Sequence, residues 1–573
     1  SCIFARVSTN NAMTNYTIIG IDFGTSTTVV KVKNYYDGMK NNECQSLMIS
    51  GSTVVPTLVF ERKEDGKLFF GREAEAEFNS NCEGTMHRNF KMDLLKEDKK
   101  ENAQRLIREF IKYLYVQFSL QKAQLNVSAN VKTFISYPAK WTPEIIAFMK
   151  QSVIDAGFGT EATVFGETEP TAAIYATFTN HADALKEHRL VSQNMPINVM
   201  MLDMGAGTSD VTVFRFMADR NNKFHIGVDG KIISHPAVDN AYLCGGREID
   251  RMLAEYNLQY LRKISPGGMV FPAIVEKNES GVKEWKEENV SRSVEDGRAA
   301  SISGELMTLI NMMKTFSPGL QIAPYPDIDR GVFEDITREH WKQLRTLVVD
   351  ALKKAGEVIP EIKGPEDIDL LIITGGHSQW YCVREMCLGH PFAGLPAINF
   401  KKIIENPNRL LAEARPQETV ANGLVFRDLS FDISHTSTNN LWIQLSLNDK
   451  VHSEIYHVLH QFDTLPLTKT IEWKQKIEAG RFSLDNAKIR CRCCYGADES
   501  TGVFTSLNAY ASLNGLMDFA IKTLLLPLVI LGGRKEDYYV MVKLIVRIDE
   551  DGSAHINGNL MCNGNSSDFV MNL

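Results

Sequence analysis

The stretch IIGIDFGTST, residues 18–27, is an apolar strand-like run that ends on an aspartate and turns through Gly24 and Thr25. VMMLDMGAGTSD, residues 199–210, repeats the device, and a third apolar run, LLIITGGHSQ at 370–379, also ends in a glycine turn. Glycine lets the backbone pass close to a ligand and turn its N–H groups inward, so such a turn can cradle phosphate oxygens. Asp22 and Asp203 then stand beside the cradle. Bare phosphate repels carboxylates, so the pair makes sense with a hard divalent cation and its water shell between them, and magnesium is the natural candidate. One D-x-G-x-T alone could be an ordinary strand-to-hairpin turn. Two copies and a further Gly-Gly turn imply two similar half-domains facing one phosphate chain.

The 573 residues exceed what one core usually serves, so two or three domains are expected. Net charge is −8 and no basic block appears, which makes nucleic acid a poor partner. Ten cysteines over this length do not read as a disulfide framework. The cluster Cys491, Cys493 and Cys494 lacks the paired C-x-x-C spacing of a zinc site, and alternating strand thiols are the simpler reading, with zinc as the alternative. The most apolar stretch, IKTLLLPLVILGG at 521–533, is too short to span a bilayer and carries Pro527. Residues 1–12 show no signal pattern, Met13 reads as a start preceded by an arm at 1–13, and the expected location is the cytoplasm.

Residues 14–198 alternate strands with helical segments such as AQRLIREFIKYLYVQFS at 103–119, whose apolar residues recur at helical spacing. This predicts an α/β lobe, followed by a second lobe over 199–387 that includes the helical run 337–359. DLSFDISHTSTNN at 428–440 is polar and reads as a linker, placed at 429–440. Beyond it, 441–573 carries strand signals such as LWIQLSL and two alternating runs joined by an Asp-Gly turn at 551–552, predicting an all-β domain.

The order of phosphate turn, FGETEPTAAIYA (165–176), second phosphate turn, CGGREID (244–250) and ITGGHSQ (373–379) resembles the actin-like ATPases. Within them it is most similar to the 70-kDa heat-shock chaperone family, the DnaK type. VVPTLVF (54–60), FISYPAKWTPEIIAFMKQSVIDAGF (134–158) and RPQETVANGLVF (415–426) support this, and the likeness covers nearly the whole chain. The resemblance implies a two-lobed nucleotide-binding domain over 14–428, with 388–428 returning to the first lobe, followed by a β-sandwich-like domain that grips extended apolar polypeptide. It implies ATP or ADP with Mg2+, slow ATP hydrolysis, and a co-chaperone and an exchange factor as further partners. No helical lid follows the β runs, so peptide exchange should be fast and weakly gated.

Carried over by residue, the resemblance puts Gly24, Thr25, Ser26 and Thr27 on the first phosphate turn and Gly205, Ala206, Gly207 and Thr208 on the second. Asp22, Asp203 and Glu169 would orient magnesium, mostly through water, although Glu169 could equally be a helix N-terminal charge before Pro170. Thr208 and Asp210 would place the attacking water, Asp210 having a solvated strand end as its alternative. A cation must meet the charge that builds on the transferred phosphoryl group. Lys91 fits that place best, with Arg88 competing and a surface charge as the bland alternative. Gly245, Gly246, Arg247, Glu248, Gly375, Gly376 and His377 would line the ribose and adenine, with Lys314 on the adenosine-contacting helix.

The chain departs from the family at Ala206, which adds a methyl to the second turn, and at His377-Ser378-Gln379, where the family has Ser-x-Arg and its adenine-flanking arginine. Loss of that planar cation removes a contact worth about 0.5–2 kcal/mol. The other classes open to the sequence are a small-molecule kinase of the same superfamily and a filament-forming actin relative, both disfavoured by the β tail.

Overall fold

The computed structural model describes residues 15–573 apart from 81, 140, 219–222, 228–231, 237–244, 265–267, 269–271, 299, 302–314, 316–326, 379, 392, 430, 434, 438, 448–452, 461–462, 478–487, 496–514, 521–537, 551 and 563. The protein is mixed α/β with several sheets.

Tyr16–Phe23 and Thr27–Tyr35 form an antiparallel hairpin around the first glycine turn. Val131–Tyr137 lies parallel to Tyr16–Phe23, and Val164–Thr168 parallel to Val131–Tyr137. Parallel neighbours need crossovers, which the helices Lys100–Gln121 and Pro143–Ala156 supply. The first of these buries Ala103, Leu106, Ile107, Phe110, Ile111, Leu114 and Phe118, the stripe that the 103–119 spacing predicts. Gln45–Ser46 and Val54–Pro56 pair with the outer side of the hairpin.

The second sheet repeats this plan. Ile197–Met204 and Ser209–Ala218 form the hairpin, Leu370–Thr374 runs parallel to Ile197–Met204, and Leu410–Ala412 runs parallel to Leu370–Thr374. Phe224–Ile226 and Ile232–Pro236 pair with the outer side of the hairpin. The crossover into Leu370–Thr374 includes the helix Arg330–Val358, which starts earlier than the 337–359 run suggests because the Asp329 side chain caps it by accepting from Val332 N–H at 2.8 Å.

The helix Glu169–Asn180 is wedged between the sheets. Ala172 and Ala176 pack with Ile18, Phe134 and Leu424 on one side, and Ile174 and Phe178 with Phe214, Phe216 and Leu411 on the other. The helix Thr419–Phe426 crosses it so closely that a Cβ on Gly423 would fall 1.6 Å from the Ala172 carbonyl oxygen. That oxygen is backbone, so no rotamer change relieves the clash. Gly423→Ala is therefore expected to cost about 3 kcal/mol of stability, read as a lower unfolding midpoint. An unchanged midpoint would mean that the helices do not meet at this glycine.

Two expected boundaries differ. Residues 388–428 do not all return to the first sheet: Leu410–Ala412 pairs within the second, and Ile398, Phe400 and Ile403 pack in the second sheet's core. The return is made by Thr419–Phe426, whose Leu424 and Val425 face Ile18 and Tyr35. The segment 429–440 is likewise not a plain linker. Phe431–Ile433 adds a parallel strand to Phe224–Ile226, and His435–Thr436 pairs with Thr464–Leu465. Polar composition hid both, because edge strands this short carry little hydrophobic alternation.

From Leu441 onward, two antiparallel sheets face one core. One holds Leu441–Leu447, Ser453–Leu459, Lys488–Tyr495 and Gly515–Ala520; the other holds Leu467–Ile477, Tyr538–Ile548, Ala554–Cys562 and Asn565–Asn572. Cys491 and Cys493 point into that core, with Cys493 Sγ 3.7 Å from Met571 Sδ. Residues 521–533 lie outside the described residues; among those described, no helix is long and apolar enough to cross a membrane.

Candidate functional site

Asp22 and Asp203 occupy the same place in the two hairpins, one residue before the strand end, and each glycine turn follows directly. A Cβ on Gly24 would lie 2.3 Å from the Thr27 carbonyl oxygen, and one on Gly375, where φ is +85°, 2.3 Å from the Met204 carbonyl oxygen. Side chains are excluded there by backbone. In the second turn Gly205 N–H donates to the Thr208 carbonyl oxygen at 2.9 Å, closing the loop that carries Ala206 and Gly207.

The parallel third strand of each sheet sets a hydroxyl against the aspartate. Ser136 Oγ donates to Asp22 Oδ1 at 2.8 Å, while Thr374 stands in register with Asp203 and its buried hydroxyl has no hydrogen-bond partner among the described residues. An orphaned buried hydroxyl beside a carboxylate marks a place with polar capacity still to be filled.

Charge is crowded here. Burial pushes the Asp22 carboxyl up to about 7, Glu169 adds to this, and Lys91 and the Ser136 hydrogen bond oppose it. Asp203 is pushed well above the usual carboxylate range by burial and then by Asp210, Glu169 and Asp22. Both aspartates keep a sliver of solvent access, yet protein walls surround them. Asp210 is buried and lies within the cluster rather than on a solvated strand end. Thr208 Oγ1 donates to Asp210 Oδ2 at a long 3.5 Å.

Lys91 belongs to this cluster and Arg88 does not. Lys91 is 2% exposed; its Nζ donates to Glu169 Oε1 at 2.7 Å and sits 5.2 Å above the Trp141 ring. The neighbouring Phe90, packed on Phe23 and Phe110, anchors the short turn that carries it. Arg88 instead lies over Phe78. The surface-charge alternative for Lys91 thus fails on burial.

The two glycine turns touch: a Cβ on Gly207 would be 3.1 Å from Thr25 Oγ1. Gly245 packs on the second turn, where a Cβ would come within 2.4 Å of the Gly207 carbonyl carbon. Arg247 N–H donates to the Ala206 carbonyl oxygen at 3.0 Å, so Ala206 contributes its backbone to this junction. Beneath it, Lys286 Nζ pairs with Asp250 Oδ1 at 2.5 Å and donates to the Gly246 carbonyl oxygen at 3.2 Å.

Several expected lining residues are placed differently. His377 is buried against Gly246, where a Cβ would lie 1.5 Å from its Nε2, and edge-on to Trp380. Burial, then Lys286 and His340, push its pKa well below the usual value, so it stays neutral. Glu248 is engaged by Arg251 at 2.9 Å on the outer face of the helix. Gly376 is open, with nothing nearer to a Cβ than the Gln417 side chain at 3.8 Å. Lys314 and Gln379 lie outside the described residues. Ser136, Trp141 and Lys286 carried no sequence signal of their own. Ser136 could have been found by laying the two repeats over one another, since Thr374 holds the matching position.

A cavity of about 570 Å3 lies away from the turns. It lies where Phe134, Tyr137, Trp141 and Phe165 of the first α/β part face Leu459, Pro466 and Asp549 of the β domain.

No protein-family model matches this chain, and no curated protein matches it. Among the described residues no three His, Cys, Asp or Glu side chains converge to ligate a metal ion directly. The donor set nevertheless suits a cation held through its water shell: Asp22, Asp203, Asp210 and Glu169 crowd together, with the buried Lys91 beside them.

Proposed function

We propose that this chain is a two-lobed, actin-like ATPase of the chaperone type, which binds ATP with Mg2+ between its glycine turns, hydrolyses it slowly, and couples nucleotide state to the grip of the β domain on extended apolar polypeptide. The observation that carries this reading is the duplicated unit: two hairpins with an aspartate at the same position, each followed by a glycine turn and flanked by a parallel strand presenting a hydroxyl. Duplication of that unit gives one phosphate chain two cradles.

Asp22, Asp203 and Glu169 would hold magnesium through its waters, and the ion would supply positive charge to the phosphoryl oxygens. Burial and mutual repulsion raise the proton affinity of Asp22 and Asp203, and a cation between them would relieve both. The first turn, Gly24 to Thr27, and the Ala206–Gly207 tip of the second, whose loop the Gly205 N–H closes on the Thr208 carbonyl oxygen, would offer backbone N–H groups to the phosphates. Lys91, fixed by Glu169 and Trp141, would stabilise charge that grows on the transferred group. Asp210 orients a water with help from Thr208.

The route to the β domain supports coupling. Phe431–Ile433 is a strand of the second sheet and His435–Thr436 pairs with the β domain's Thr464–Leu465, so movement of that sheet's edge pulls on the β domain. The deciding measurement is ATP turnover by the purified chain, with and without an unfolded apolar peptide. Turnover is expected to change with peptide, and peptide to bind more weakly with ATP than with ADP. Turnover and affinity both indifferent to the other ligand would end the chaperone reading even if ATP is hydrolysed.

A further inference from the structure

Arg247 opens the helix Gly246–Ile264 on the second sheet's side of the site. Its Nη2 donates to the Thr25 carbonyl oxygen at 3.1 Å and to Ser26 Oγ at 3.3 Å, both on the first glycine turn. Its own N–H holds Ala206 on the second. One residue thus bridges both turns, across the seam where Thr25 meets Gly207.

The bridge is chemically unusual. The guanidinium is largely buried, and burial draws its pKa down to about 10 although Asp250 and Asp93 pull the other way. Among the described residues no carboxylate lies within ion-pair distance, and both side-chain hydrogen bonds end on neutral oxygens. A buried guanidinium held this way is under-compensated. Its planar fork matches phosphate, which gives shorter and stronger charge-assisted hydrogen bonds than a carbonyl or a hydroxyl does. Lys91 does not duplicate it, because Lys91 is already held by Glu169 and approaches from the first sheet.

We propose, resting on the nucleotide reading above, that Arg247 is a phosphate-contacting residue which moves its fork from Thr25 and Ser26 to the terminal phosphoryl group of a nucleoside triphosphate, and so distinguishes triphosphate from diphosphate. No bond is made or broken in this exchange; the guanidinium keeps its charge and trades neutral acceptors for anionic ones. The same trade releases the two turns from one another, so triphosphate entry and separation of the turns become one event.

The test compares ATP and ADP affinity, with Mg2+, for the full chain and for Arg247→Ala, Arg247→Gln and Arg247→Lys. Arg247→Ala and Arg247→Gln should lose roughly tenfold to a hundredfold in ATP affinity, the range for a hydrogen bond to a charged group, with ADP affinity changed less than about threefold. Arg247→Lys should fall between, keeping charge but not the fork. Equal losses for ATP and ADP would make Arg247 a structural latch, and tighter binding of both would make it an obstruction; either result overturns the proposal. Unfolding midpoints without nucleotide identify a variant that misfolds, and the Gln and Lys variants then decide. A wild-type chain that binds neither nucleotide would instead sink the functional reading itself.

Discussion

Lys91→Ala is expected to lower ATP turnover at saturating nucleotide by roughly a hundredfold to a thousandfold, with little change in ATP affinity. The asymmetry follows from where the ammonium stands. It is buried, pinned between Glu169 and the face of Trp141, and is the cation nearest the carboxylate cluster on the first sheet's side. Ground-state phosphates already have the turn amides and the cation expected between Asp22 and Asp203. Only the charge that appears during transfer needs a further donor in a place that water cannot reach, and an interaction of that kind raises the rate without tightening binding.

Removing Lys91 also leaves Glu169 beside two aspartates whose proton affinities it already raises. Glu169 keeps 16% of its side chain exposed, so protonation or solvation can limit the damage. Lys91→Met, which fills the same space, separates lost charge from lost packing. Single-turnover hydrolysis and equilibrium binding measured together decide the matter. If affinity and turnover fall by the same factor, Lys91 is a structural ion-pair partner rather than a catalytic residue.

The glycine turns and their aspartates were legible because both are local: a strand, a carboxylate and a tight turn write themselves into ten consecutive residues. The helix Lys100–Gln121 was legible for the same reason, through the spacing of its buried side chains. What the sequence could not yield was pairing at a distance. Leu410–Ala412 is three residues of strand whose partner, Leu370–Thr374, lies some forty positions away. Phe431–Ile433 sits in a polar stretch and becomes a strand only because Phe224–Ile226 offers an edge. In the site, the glycine turn before His377 suggests a ligand-lining residue, yet the space above Gly246 and the edge of Trp380 take its ring inward. Arg247 is beside a glycine pair in sequence, but nothing local says that its side chain crosses to Thr25. Packing decided each of these, and packing depends on neighbours that a single sequence does not order in space.

Asp203→Asn should make the nucleotide-free protein more stable above pH 7 while removing nearly all turnover, a loss of roughly a hundredfold or more. Asp22 and Asp203 both hold protons in the folded state at pH values where the unfolded chain has released them: the ordinary value is 3.8, Asp22 rises to about 7, and Asp203 goes well above the ordinary range. A carboxyl with a raised folded pKa contributes stability that is fully present below the unfolded value and is lost as pH climbs through the folded one. The unliganded protein should therefore lose stability from about pH 4 upward, through both aspartates and up to about pH 7 from Asp22, against the more usual trend of paired carboxylates. Asparagine at 203 keeps the shape and removes the carboxyl whose proton affinity burial, Asp210, Glu169 and Asp22 raise, so the slope should flatten. Added Mg2+ should flatten it in the wild-type chain by neutralising the same charges, and should do less in the variant. Unfolding midpoints taken from pH 5 to pH 8, with and without Mg2+, read all three effects. A variant whose slope matches the wild type, or whose midpoint at pH 8 is lower, would show that repulsion at Asp203 is not what the cluster stores; a variant that flattens the slope yet still turns over ATP would show that the stored repulsion serves something other than the proposed cation site. The expected pairing of gained stability with lost activity is the pattern of a site held away from its own optimum so that a ligand can complete it.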